Sequence, residues 1–434
     1  MARIKLAYIG GGSTRGAGTM ASLIHNNGAE FDGSEVVLVD LDADRLALIR
    51  TLAEKMARAR GVDLTVTATT DRRAALQDCD AVLSSFRPGG FSARAKDERI
   101  PLNHGVIGQE TQGPGGFFMA LRAISVLKGI CADMEEICPD AWLFNYTNPV
   151  NLVAEAVTHH SRIKCVSLCE GPIYFVDQMA GYAQLDPEKL KAVMVGLNHG
   201  CWSVEHTYDG EDAIPHIEAA WERRRDDPEL STMGRRILHL GATMGSIPAE
   251  YFMYYYFRDE IVGELAAKPT TRAEDIMGWA PDYWRHYEEQ AATDDPHLDP
   301  GRSRGGIQEL ELAVDVMDAI FNDKDEVHPV NVPNAGGALP GFPDDLVVEI
   351  QGRCNRAGIE PLASKPLPRH VRGLVQMLGE YQAVAAEAAW SGGRREAVRA
   401  LAANPLVMRL DLAEELYDEL LAAHRDLLPD RLAA

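Results

Sequence analysis

Short apolar runs alternate with stretches of helical periodicity through the first 190 residues. The runs at 4–9 (IKLAYI), 36–40 (VVLVD), 64–70 (LTVTATT), 81–86 (AVLSSF), 141–146 (AWLFNY) and 164–169 (KCVSLC) are brief and rich in β-branched or aromatic residues, which predicts strands. Between them, Thr19–Asn26 and Ala43–Arg60 carry helical patterns. Strand and helix in alternation make βαβ units, whose right-handed crossovers build a parallel sheet. Residues 1–195 are therefore predicted to form a Rossmann-like, doubly wound α/β domain that binds a dinucleotide. The pattern then changes. KAVMVGLNH (191–199) and CWSVEHTY (201–208) read as successive strands, and long helical patterns occupy 215–240, 251–257 and 370–402. Residues 196–434 are expected to form a second domain, mixed α+β and rich in helix.

Composition narrows the partners more than the fold. The chain of 434 residues is 46% hydrophobic and 25% charged, with a net charge of −22, as befits a globular protein with a real core. That charge argues against a nucleic-acid or anionic-membrane surface, and an anionic substrate would need a local basic pocket. No apolar run reads as a membrane span, and MARIKLAYIGGG reads as a strand entering a glycine turn rather than a signal peptide. Seven irregularly spaced cysteines without a CxxC point away from a zinc knot and towards a reducing cytoplasm.

The turn GGGST, with Gly10, Gly12, Ser13 and Thr14, lies between a predicted strand and a predicted helix. Glycines let a backbone approach a pyrophosphate, and helix N-terminal N–H groups attract its charge. The fingerprint is imperfect: its third glycine position falls on Arg15, and Gly16 comes one place late. Asp40, ending the second strand, suits an adenosine ribose and disfavours a 2′-phosphate, so NAD is expected over NADP. In NYTNP (145–149), the Asn-Pro turn presents the Asn148 amide at a strand end, a substrate-contact candidate. Cys169 and His199 also end predicted strands, and a thiolate with an imidazole suits a borderline transition metal. Those two residue types are more often structural, and spacing leaves both readings open. Glu170 could share the Cys169 site only if the strand breaks there, as Gly171 and Pro172 make it do. The loop GQETQGPGG (108–116) carries Glu110, and FRPGGFSARAKDERIP (86–101) concentrates cations that include Arg94. YFMYYYF (251–257) alone would be an aromatic core stripe.

Taken together, these segments resemble glycoside hydrolase family 4, the NAD- and metal-dependent glycosidases related to lactate and malate dehydrogenases. The resemblance rests on GGGST, ARAKDERIPL, GVIGQETQGPGG, NYTNP, the Cys169 segment, GLNH (196–199), IPAEYFMYYY (247–256) and PNAGGALPGFPDD (333–345), in the family's order. It implies an enzyme outside the usual two-carboxylate glycosidase scheme. By the resemblance, NAD withdraws hydride from sugar C3, a tyrosinate removes the C2 proton, the C1 leaving group departs, water adds, and the hydride returns. A divalent metal, Mn2+ by the resemblance, stabilises the enolate. The resemblance makes Cys169 and His199 the metal ligands, Tyr251 the base, and Glu110 the residue that raises its basicity. Arg94, Asn148 and Arg272 match substrate-binding positions. A tyrosine of pKa about 10 is a poor base at neutral pH unless a nearby cation lowers it.

One position departs from the family. The residue after the metal cysteine is aspartate, serving as acid, in phospho-α-glucosidases, asparagine in phospho-β-glucosidases and histidine in several groups with unphosphorylated substrates; here it is Glu170. PAEYFMYYY resembles the phospho-β type, so the expected substrate is a 6-phospho-β-glucoside or another anionic glycoside, cleaved by a homodimer or homotetramer. An α-glycosidase, α-galactosidase or uronidase of the same family is the alternative within it. A 2-hydroxy-acid dehydrogenase would need no Cys–His pair and would release NADH, and a non-catalytic NAD-binding sensor would cleave nothing.

Overall fold

The computed structural model describes residues 1–303 and 311–433. Twelve strands form one sheet: β1 Lys5–Ile9, β2 Ser34–Val39, β3 Leu64–Thr69, β4 Ala81–Ser84, β5 Trp142–Asn145, β6 Lys164–Ser167, β7 Leu190–Leu197, β8 Gly200–Tyr208, β9 Glu211–Asp212, β10 Glu326–Pro333, β11 Val347–Asn355 and β12 Gly358–Pro361. Their order is β3-β2-β1-β4-β5-β6-β10-β11-β7-β8-β9, with β12 on β11. The first six pair in parallel, in the doubly wound order expected of a dinucleotide fold.

These strands are apolar on both faces because both faces are covered. Leu6 and Tyr8 of β1 join one core with Val36 and Leu38, and Ala7 and Ile9 join the other with Val37 and Val39. Helices 16–26 and 43–60 cover the first face. Asp42 caps the second of them through the Arg45 N–H, and Gly61 ends it at a φ of 69°. Helix Gly113–Ile137 covers the other face. It is long and apolar enough to cross a membrane by length and composition alone, but 72% of its apolar window is buried inside the protein, as in a core helix.

The sheet continues past residue 195: β7 straddles that position, and β10 joins β6 through the pair Asn331↔Ser167. β10, β11 and β12 were not among the strands read from the sequence. The long helical stretch at 215–240 is two helices, Ile214–Arg224 and Thr232–Met244. Pro228 lies in the break, and Ser231 caps the second helix through the Gly234 N–H. Likewise 370–402 divides into Arg369–Trp390 and Arg394–Ala403 at Gly392 and Gly393. The stretch 251–257 is a 3₁₀ turn, Glu250–Phe252, followed by one α turn, Met253–Tyr256.

Candidate active site

The glycine turn is built by what is missing from it. A Cβ on Gly10, whose φ is 97°, would collide with the Ser85 carbonyl, and one on Gly12 would lie 2.8 Å from Asp40 Cβ. Gly16 does the work of the displaced third glycine, since a Cβ there would strike the Gly11 carbonyl. Ser13 N–H closes the turn on the Gly10 carbonyl at 3.0 Å, and the Thr14 carbonyl accepts the Tyr287 hydroxyl at 2.8 Å. Asp40 accepts from Gly12 N–H at 3.1 Å and from Leu41 N–H at 2.7 Å. This cradle of small residues with a carboxylate at the second strand's end fits the diphosphate and ribose of a dinucleotide.

Cys169 and His199 meet. The strand β6 stops at Ser167, and Cys169 Sγ lies 3.7 Å from His199 Nε2. His199 turns between β7 and β8 in the left-handed region, at a φ of 61°. Its Nδ1 is held by Thr111 Oγ1 at 3.1 Å, which leaves Nε2 facing the thiol. The Tyr251 ring lies flat on the imidazole, with centroids 3.7 Å apart and planes 7° from parallel. Three segments distant in sequence thus bring a thiol, an imidazole and a phenol to one point. Among the described residues, no group of three or more His, Cys, Asp and Glu side chains forms a closed metal cage. A soft sulfur and an imidazole nitrogen side by side nonetheless fit a borderline divalent ion that keeps positions open for other ligands.

Burial governs the protonation of this cluster. It pushes the Cys169 thiol up to about 12, with Glu349 adding to the effect. It pushes the His199 imidazole down to about 4, so the ring is uncharged at neutral pH. It also holds the Tyr251 phenol well above its ordinary value, and Glu250, Cys169 and Glu110 push the same way. A metal taking up the thiol must therefore displace its proton.

Glu110 joins the two halves of the site. It pairs with Arg87 at 2.5 Å and with Arg94 at 2.8 Å. Burial works against charge on Arg94, but Glu110 and Glu98 outweigh it and raise its pKa. Burial lowers the Arg87 pKa, and Arg15 of the glycine turn pushes the same way. Asn148 Oδ1 is buried with no partner among the described residues, an acceptor left for a ligand. Glu170 accepts the Tyr146 hydroxyl at 2.8 Å and begins helix Gly171–Ala183. Arg272 stands apart: it is exposed and lies over the Trp279 ring at 4.8 Å. Its helix, Arg272–Ala291, nonetheless reaches both sides, because Ala273 N–H donates to Glu98 at 2.8 Å and Tyr287 donates to the turn.

Several supporting residues escaped the sequence reading. Thr111, in the same QET loop as Glu110, fixes the imidazole. Asn198, the residue before His199, donates to Glu349 at 2.9 Å. The GLNH segment flagged Asn198 by position only, and nothing local marked Glu349.

The family 4 glycosyl hydrolase model matches residues 5–185, and that family's C-terminal domain matches residues 194–407. A probable 6-phospho-beta-glucosidase of Bacillus subtilis (strain 168) is 37% identical, over 98% of this chain and 97% of its own. A 6-phospho-beta-glucosidase of Escherichia coli (strain K12) is 32% identical, over 99% of this chain and 97% of its own. The crystal structure of a 6-phospho-alpha-glucosidase from gut microorganisms, in complex with NAD and Mn2+, superposes with a TM-score of 0.86 at 26% identity, covering 98% of this chain and 99% of that one. With both halves matched and the thiol, imidazole and phenol assembled at the sheet's edge, the chain belongs to family 4 of the glycosyl hydrolases.

Proposed function

We propose that this enzyme cleaves a 6-phospho-β-glucoside by reversible oxidation of the sugar coupled to elimination. The observation that carries the reading is the flat stack of Tyr251 on His199, with the Cys169 thiol 3.7 Å from the same imidazole. That arrangement puts a proton acceptor beside a metal-binding pair, which a 2-hydroxy-acid dehydrogenase does not need. Gly10, Gly12, Ser13, Thr14 and Asp40 would hold NAD, and Cys169 with His199 would hold a divalent ion, Mn2+. When bound, NAD supplies reversible hydride exchange at a sugar carbon, and the ion supplies Lewis-acid polarisation of sugar oxygens.

The chain's own groups do the rest. Tyr251 takes the proton from sugar C2, and a cation beside its ring favours the phenolate over the phenol. Glu110 adds negative charge near that phenol and keeps it basic. Glu170, oriented by Tyr146, protonates the departing oxygen. Arg94 and the open Asn148 acceptor orient the sugar. Arg272 belongs to the substrate side by resemblance, although its side chain lies on Trp279. A division near residue 195 into a cofactor-binding part and a substrate- and metal-binding part, a reducing cytoplasm that suits the seven free thiols, and assembly as a homodimer or homotetramer complete the proposal.

A panel of α- and β-nitrophenyl glucosides, with and without a 6-phosphate, assayed with NAD, Mn2+ and a thiol reductant, tests it. Cleavage of the phosphorylated β-glucoside, abolished by a chelator and without net NADH, is the expected result. Cleavage of the α-anomer instead would make Glu170 the counterpart of the phospho-α acid. Exclusive cleavage of uronides would overturn the substrate.

A further inference from the structure

One level of the sheet carries a row of small and polar residues from the cofactor side to the metal side. Register pairs run Ser84↔Asn145, Asn145↔Ser167, Ser167↔Asn331, Asn331↔Glu349, Glu349↔Gly196 and Gly196↔Cys201. Its first part is tied by Ser84 Oγ donating to Asn145 Oδ1 at 2.8 Å and Asn145 Nδ2 donating to Ser167 Oγ at 3.1 Å. Its second part converges on Glu349, which is 1% exposed on β11. Asn198 Nδ2 donates to Glu349 Oε1 at 2.9 Å, and Asn331 Nδ2 donates to the same oxygen at 3.1 Å.

A fully buried carboxyl is costly unless something needs it there. Its partners indicate that use, since the acceptor is shared by two buried amides, Asn198 and Asn331. Asn198 is the hinge: its side chain is tied to Glu349, and its backbone leads directly into His199 at the left-handed φ of 61°. Cys201, two residues beyond His199, is the other end of the same turn. Glu349 therefore holds the stretch that leads into the imidazole: it pairs in register with Gly196, and its Oε1 takes the Asn198 amide.

We propose that Glu349 is a positioning residue for the metal pair: its Oε1 acceptor fixes Asn198 and thereby sets the placement of His199 Nε2 against Cys169 Sγ. This rests on the metal reading of Cys169 and His199 given above. Residues that orient metal ligands without touching the ion typically contribute 10–100-fold in affinity.

The test measures Mn2+ and NAD dissociation constants separately for Glu349→Leu, Glu349→Gln, Asn198→Ala and Cys169→Ala, with Co2+ as a spectroscopic probe of thiolate ligation. Glu349→Leu fills the volume but removes the acceptor. It should weaken Mn2+ binding by about 10–100-fold, diminish the thiolate-to-cobalt charge-transfer band, and leave NAD affinity unchanged. Glu349→Gln keeps a carbonyl acceptor for both amides and should restore most of the Mn2+ affinity. If Glu349→Leu does not fold, Asn198→Ala carries the same expectation, and wild-type Mn2+ affinity there overturns the proposal. Wild-type Mn2+ affinity in Glu349→Leu while Cys169→Ala loses it also overturns the proposal, with the metal site left standing. Mn2+ and NAD affinities falling together mark a merely structural role and overturn it too. Mn2+ affinity retained in Cys169→Ala overturns the metal reading itself and this inference with it.

Discussion

The glycine turn and the cluster around Cys169 both follow the carboxyl ends of parallel strands in one sheet, yet they are assembled in opposite ways. The turn takes Gly10, Gly11, Gly12 and Gly16 from a single short stretch and works by excluding side chains, with Asp40 set against it from the second strand's end. The cluster gathers Thr111, Cys169, His199 and Tyr251 from four separate segments and works by side-chain contact. A binding surface made of backbone is tolerant of almost nothing larger than hydrogen. A site made of side chains is tolerant of shape-conserving changes but sensitive to the loss of a single reacting atom.

Substitutions can sharpen or break that contrast. The largest effect belongs to Tyr251→Phe, which keeps the ring on His199 and removes only the phenol. Turnover should fall by about 10²–10⁴-fold while NAD affinity stays the same. Steady-state kinetics with a cofactor titration check this, and near-normal cleavage would take Tyr251 out of the chemistry. Gly12→Ala should act on the other side. Its added Cβ, 2.8 Å from Asp40 Cβ, overpacks the cradle. A cost of about 1–3 kcal/mol is about 5- to 150-fold in the NAD dissociation constant. Calorimetry should show that loss with Mn2+ affinity untouched; a loss of both would mean the two regions are not separable. The smallest effect is expected for Thr111→Val, which frees the imidazole to rotate. Mn2+ affinity should fall by about tenfold, the low end for such partners, with NAD binding unchanged.

Legibility followed the same divide. The parallel strands, the turn and Asp40 could be read directly because their pattern is local: apolar run, glycines, helix, then an acid at the next strand end. Even there the fingerprint was one residue out of step, because Gly16 meets the Gly11 carbonyl from the first turn of the helix. Nothing in YFMYYYF separates Tyr251 from Tyr254, Tyr255 or Tyr256; its stack on His199 does, and that depends on how β7 and the 3₁₀ turn at 250–252 meet. Glu349 was invisible for a related reason. Its meaning comes from register with Asn331 and Gly196, which are distant in sequence. The helices that divided did so at Pro228 and at Gly392–Gly393, breakers that periodicity alone smooths over.

The helix Arg272–Ala291 is attached at both ends to the machinery it covers. Its first turn grips the carboxylate that steadies Arg94, and the Tyr287 phenol near its far end grips the carbonyl of Thr14. Its two anchoring residues, Ala273 and Tyr287, stand fourteen positions apart, so the glycine turn and the Arg94–Glu98 pair hang on a single helix.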